Sequence, residues 1–186
     1  NTSLEHQWIM ARSFRNARTK IENGVKTGST VAAKNHHFSV STHSEPITKT
    51  KKMLLATVYP LNLPEQSLLV VNSHIINFVS FEKFKAHVDK VFQALEHHEG
   101  PILLAGDFNT WNLKRLKYFN KLALSFLLEE VEMVRQPRLN HLFKHLDHIY
   151  CRGLEVVDVH VHKHIKSSDH FPISLSLRTV DTGDAI

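Results

Sequence analysis

PILLAGDFNTW, residues 101–111, is the stretch on which the fold and the chemistry are read. The apolar run Ile102–Ala105 closed by Gly106 has the length and boundary of a buried strand. It delivers Asp107 and Asn109, then a hydroxyl and Trp111. Ending a buried strand in charge costs free energy unless the charge is paired or used. Strand ends are where α/β proteins bind ligands. Two readings stay open on this stretch alone: the floor of an active site, or an ordinary turn with Asp and Asn as turn residues.

Working outward, Ser67–Ile76 reads as a second buried strand, ending in Asn72 and His74. Between the two strands, Phe81, Phe84, Val88, Val91, Phe92 and Leu95 recur at three and four. This predicts an amphipathic helix capped by Ser80, running to about His98 and closed by Gly100. After PILLAGDFNTW, residues 112–126 form a second helix with Leu113, Leu116, Phe119, Leu122, Ala123 and Phe126 inward. Met53–Tyr59 is a strand ended by Pro60. Ser29–Ala33, Phe38–Ser41 and Glu129–Val134 are short strand candidates, and residues 1–20 are expected to be helical. Asn23-Gly24 and Thr27-Gly28 are turn signals. Leu146–Tyr150 turns at Arg152-Gly153 into the alternating Val157, Val159 and Val161. Ile173, Leu175 and Leu177 close the pattern as a half-buried strand. This order excludes a simple doubly wound sheet and suggests mixed sheets packed together with helices outside.

The chain has 186 residues, 42% hydrophobic and 22% charged, with a net charge of +5. That describes one globular domain whose basic balance suits a polyanion or a phosphate ester. No apolar run approaches the length of a membrane span. Cys151 is the only cysteine, so no internal disulfide forms, which fits a reducing compartment. A cytoplasmic location and a monomer are the expectations. His160, His162 and His164 alternate, and the reading favours a solvated strand face over a metal site.

Three polar clusters repeat the design of the opening stretch: Asn72-Ser-His74, Leu146-Asp-His148 and Ser168-Asp-His170. With Asp107 and Asn109 they supply what metal-assisted phosphoester hydrolysis uses. Carboxylates hold a hard cation such as Mg²⁺, and a carboxylate or histidine orients the attacking water. The segments VVNSHI, LLAGDFNTW, LDHIYCRGL and SSDHFPI, in this order, resemble the endonuclease/exonuclease/phosphatase superfamily, the DNase-I-like fold, and its YafD-like bacterial branch. The resemblance covers residues 24–178.

That resemblance implies an α/β (α+β) fold, a four-layer α/β/β/α sandwich of two mixed, mostly antiparallel sheets. Residues 1–178 would form the domain, lacking its first strands, and 179–186 a polar tail. Asp107 would activate the attacking water and lie within reach of the metal. Asn109 would hold the same phosphate or water. His170 would contact the scissile phosphate as base or charged stabiliser, oriented by Asp147. His74 would stabilise phosphate oxygens, and Asp169 would ligate Mg²⁺ or Mn²⁺. Tyr59 is a weak match to a phosphate-contacting tyrosine, and Trp111 is a candidate to stack on a base or sugar. The family's glutamate ligand has no counterpart here and is expected upstream of Asn1, leaving the metal site incomplete. The function implied is a Mg²⁺-dependent phosphoesterase acting on a nucleic-acid, small-ester or phospholipid-headgroup substrate. The alternative is a non-catalytic phosphate- or nucleic-acid-binding module.

Overall fold

Three strands that end together organise the molecule. In the computed structural model, which describes residues 5–12, 22–29, 39–44, 52–61, 66–133, 146–165 and 170–180, β5 (Ser67–His74) pairs in parallel with β6 (Ile102–Asp107). β6 pairs antiparallel with β8 (Asp147–Arg152). β4 (Lys52–Pro60) and β3 (Ser39–Ser44) extend the sheet beyond β5, and the short β7 (Glu129–Glu130) lies outside β8. The sheet has six strands in the order β3-β4-β5-β6-β8-β7.

Parallel strands need a crossover, and α1 (Phe81–Gln93) supplies it between β5 and β6. Ser80 caps α1, its hydroxyl accepting from the Lys83 N–H. The helix ends at Ala94 and continues only as turns to His97, so it is shorter than predicted and Gly100 is not its C′ residue. Gly100 instead lets the chain pass β5, because a Cβ there would sit 2.4 Å from the Ser67 carbonyl oxygen. α2 (Leu113–Ser125) follows β6, capped by the Asn112 side chain on the Arg115 N–H.

Alternation along the strands divides the core in two. Ile102 and Leu104 of β6 and Tyr150 of β8 face the helices, where Phe84, Val88, Val91, Phe92 and Phe119 are fully or almost fully buried. Each such side chain contributes about 1.5–3 kcal/mol by leaving water. Leu103, Ala105, Ile149 and Cys151 face the other way, against a second sheet made of β9 (Leu154–Val161) and β10 (Ile173–Thr179). The described residues thus show a helix layer and two packed sheets, in agreement with the α/β reading. The described residues include no second helix layer.

Two expectations at the start of the chain are corrected. Glu5–Arg12 is a strand, β1, and not part of a helix; it pairs with β2 (Glu22–Ser29) over eight residues. Leu4, Trp8, Ile9 and Phe14 alone make a sparse helical face. Trp8 and Ile9 are residue types that suit a strand, and pairing satisfies the backbone of both segments at once. Asn23-Gly24 and Thr27-Gly28, read as turns, lie inside β2 opposite Ala11, Met10, Gln7 and His6. Of the candidate strand Ser29–Ala33, residues 30–33 lie outside the described residues. Among the described residues no helix is long and apolar enough to cross a membrane.

Candidate active site

The register of three strands builds the site. His74 stands opposite Asp107, and Asp107 opposite Asp147, so consecutive neighbours on β5, β6 and β8 form one row. By strand alternation all of them share the face turned toward the second sheet. Close approach of β5 and β6 here requires Gly106, whose φ is +151°; a Cβ would lie 1.8 Å from the Ser73 carbonyl oxygen. The strand therefore runs through Gly106 to Asp107 instead of stopping at the glycine.

His170, leading into β10, completes the row from the second sheet. Its Nδ1 lies 2.7 and 2.9 Å from the two carboxylate oxygens of Asp147. That places the proton on Nδ1 and turns Nε2 toward Asp107, 4.0 Å from Oδ2. The same Oδ2 is 3.5 Å from Nε2 of His74. Asp107 is the most enclosed of the set, and burial raises its pKa above the ordinary carboxylate value. The Asn109 N–H lowers it, as do the two imidazoles, while Asp147 adds to the rise.

Asn109 does not point into this row. It sits in the left-handed region (φ 48°), its N–H donates to Asp107 Oδ1 at 3.0 Å, and its side-chain Nδ2 donates to the Ile75 carbonyl at 2.7 Å. Asn tolerates that backbone better than most residues. It therefore locks the turn and orients Asp107, in place of the phosphate or water contact expected from sequence. Tyr59 is a further departure. It pairs with Leu68, six residues before His74 on β5, so it stands at the far end of the sheet, about 20 Å away at 3.3 Å per residue. Asp169 lies outside the described residues. Trp111 is 42% exposed on the rim, its Nε1 donating to Asn77 Oδ1 at 3.0 Å.

The structure gives partners to residues that the sequence left without a role. His148 faces the helix side, opposite in parity to Asp147. Its Nε2 is 2.8 Å from Thr110 Oγ1 and its Nδ1 2.7 Å from Glu130 Oε1. Glu130 fixes the Nδ1–H tautomer, and Thr110, 1% exposed, donates to Nε2. This Glu–His–Thr relay is closed off from solvent at Thr110 and secures the turn from behind. Arg115, also 1% exposed, donates to the Asn109 carbonyl at 3.2 Å and to the Val79 carbonyl at 2.8 Å. Burial lowers its pKa. The alternation rule separates His148 from Asp147 in advance. Nothing in the helical pattern marks Arg115 as buried.

Among the described residues no three His, Cys, Asp or Glu side chains converge to hold a metal ion. Mg²⁺ asks for less, one or two carboxylates with water and substrate oxygens completing the shell. Asp107 fits that role chemically: its Oδ2 lies between the Nε2 atoms of His74 and His170, and its neighbour across the strand pair is another carboxylate, Asp147.

Comparison with other proteins agrees with this architecture. A UPF0294 protein of Yersinia enterocolitica is 35% identical over 130 residues, which are 69% of this chain and 49% of the relative. The chain spans about half the length of the curated relatives it matches. Among solved structures, D. rerio TDP2 humanised by 14 mutations superposes with a TM-score of 0.66 at 13% identity, covering 94% of this chain and 77% of that one. The inositol polyphosphate 5-phosphatase domain of SPsynaptojanin, solved with inositol (1,4)-bisphosphate and a calcium ion, gives 0.59 at 13% identity over 92% and 62%. At such identities these likenesses speak for the fold. Residues 12–170 match the Endonuclease/Exonuclease/phosphatase family, and the chain belongs to it.

Proposed function

We propose that this chain hydrolyses phosphoester bonds, phosphodiesters above all, with Mg²⁺ or Mn²⁺. The observation that carries the reading is the unbroken string Asp147–His170–Asp107–His74 at the end of the sheet. Enzymes of this family are typically phosphoester hydrolases and generally use divalent metals.

Asp147 holds the Nδ1 proton of His170 and so aims Nε2 at the space beside Asp107. Buried Asp107 is a stronger base than a solvent-exposed carboxylate, which suits it to take a proton from the attacking water. Asn109 keeps that carboxylate from rotating, through its N–H on Oδ1. His74, and His170 once its Nε2 also carries a proton, lie on either side of Oδ2 and would donate to phosphate oxygens as charge builds. Asp107 and Asp169 are the residues that would hold the cation, which supplies charge neutralisation at the phosphate.

The competing reading is a binding module that recognises phosphate without cleaving it, for which the imidazoles of His74 and His170 beside Asp107 would serve equally. Turnover of a nitrophenyl phosphodiester, plasmid DNA, sphingomyelin and inositol phosphates, with Mg²⁺, with Mn²⁺ and with chelator, separates the two. Metal-dependent turnover abolished by Asp107→Ala and by His170→Ala is the expected result. No turnover on any substrate, or turnover indifferent to both substitutions, assigns the binding role instead.

A further inference from the structure

The loops that leave β5 and β6 each carry an aromatic ring four residues beyond the catalytic row: Phe78 after His74 and Trp111 after Asp107. Phe78 is 93% exposed and sits at φ 52°, a conformation unfavourable to a bulky side chain. Its position holds apolar surface in water at a backbone cost, with little packing among the described residues to offset it. Strain of that kind collects at ligand sites.

Asn77 ties the two loops. Its Oδ1 accepts from the Phe78 N–H at 2.9 Å and from the Trp111 indole N–H at 3.0 Å. Arg115 lies 4.8 Å from the centre of the Trp111 ring. The indole is thus held by its edge and by a buried cation, and part of its surface stays open. Leu113, 52% exposed, extends the apolar rim.

From this rim α2 leads away with a basic outer face. Its sequence LKRLKYFNKLALS contains no acid. Lys114, Lys117 and Lys121 are exposed at spacings of three and four, one stripe of the helix. The acids of α1 lie beside this helix but are already partnered, Glu82 with Lys85 and Asp89 with Tyr118 of α2. The stripe is about 10 Å long at 1.5 Å per residue, three stacked nucleotides at about 3.4 Å each.

We propose that Phe78 and Trp111 are a base-stacking platform, and the lysine face of α2 a phosphate track, for a single-stranded polynucleotide leading to the row His74–Asp107–Asp147. The strand's destination rests on the hydrolytic reading; the binding surface does not. A duplex keeps its base faces stacked, whereas an open strand presents them to aromatic rings, and the lysines match its charge. A bilayer surface would also take an exposed phenylalanine, but it has no use for an indole tethered in one orientation.

Fluorescence anisotropy in chelator, without turnover, tests this. The probes are labelled dT12, an abasic 12-mer of equal charge, and phosphatidylglycerol vesicles. The expected results are tighter binding of dT12 than of the abasic strand, and an about 5- to 100-fold loss on dT12 alone in Trp111→Ala. Phe78→Ala, at a site with little packing to lose, should weaken dT12 in the same sense. Replacing Lys114, Lys117 and Lys121 by Gln should reduce the salt slope by about 2. Equal affinity for dT12 and the abasic strand overturns the proposal. So does vesicle binding that depends on Phe78 and Trp111 while dT12 binding does not. Wild-type turnover of a nitrophenyl phosphodiester is scored separately: turnover without base-dependent binding sinks this inference alone, and binding without turnover sinks only the hydrolytic reading.

Discussion

Replacing Asp147 by Asn keeps the shape of the side chain and removes the charge that both oxygens bring to His170 at 2.7 and 2.9 Å. An amide can turn its NH₂ toward Nδ1, which would drive the proton to Nε2 and present Asp107 with a donor in place of a lone pair. A hydrogen bond to a charged group contributes about 1.5–3 kcal/mol. Asp147 and His170 are 35% and 38% exposed in their side chains, so solvent screening reduces this to about 1–2 kcal/mol. At 1.36 kcal/mol per decade, kcat/KM on a nitrophenyl phosphodiester should fall about 5- to 30-fold. Most of the loss should lie in kcat, because the pair organises the reacting groups more than it grips the substrate. The unfolding midpoint in urea should move little. Activity within twofold of wild type would refute the orienting role, and so would a loss accounted for by KM alone.

Other substitutions probe the neighbouring residues. Asp107→Asn should cost at least about 100-fold in turnover, the scale of a general base. It should also raise the thermal midpoint at pH 7, because burial lifts the Asp107 pKa and the charged form is disfavoured in the fold. That gain should be absent below the unfolded value of 3.8 and grow as pH rises through the folded one, as thermal melts across pH would show. Thr110→Val leaves Nε2 of buried His148 without its donor and should destabilise by about 1–3 kcal/mol in urea titration, whereas Thr110→Ser should restore most of it. Arg115→Lys cannot reach the Asn109 and Val79 carbonyls together and should cost a similar amount. Gly106→Ala must push β5 and β6 apart and should abolish activity even where circular dichroism shows folded protein.

The parts of the molecule legible in the sequence are those governed by local pattern. The β5–α1–β6–α2 core and the half-buried β10 follow from apolar periodicity, and Ser80 and Asn112 from capping chemistry. The candidate row also emerged, since Asp107, Asp147, His74 and His170 each close or enter an apolar strand. What stayed hidden is set by partners distant in sequence. The β1–β2 pairing overrides a weak helical pattern. Tyr59 is carried to the wrong end of the sheet by the antiparallel register of β4 with β5. Leu113, expected inward, is exposed, and Arg115 is buried in the helix layer because two backbone carbonyls and the rings of Phe84 and Trp111 receive it.

His170 lies three residues before β10, on the segment that enters the β9–β10 sheet, whereas the other members of the row belong to the six-stranded sheet. The row is therefore assembled only after the two sheets dock, and no partly folded chain holding one of them can possess it. Activity then becomes a clock for docking. During refolding, the far-ultraviolet signal of α1 and α2 should recover first, and catalysis should appear only with the slower, long-range association that closes the inter-sheet core.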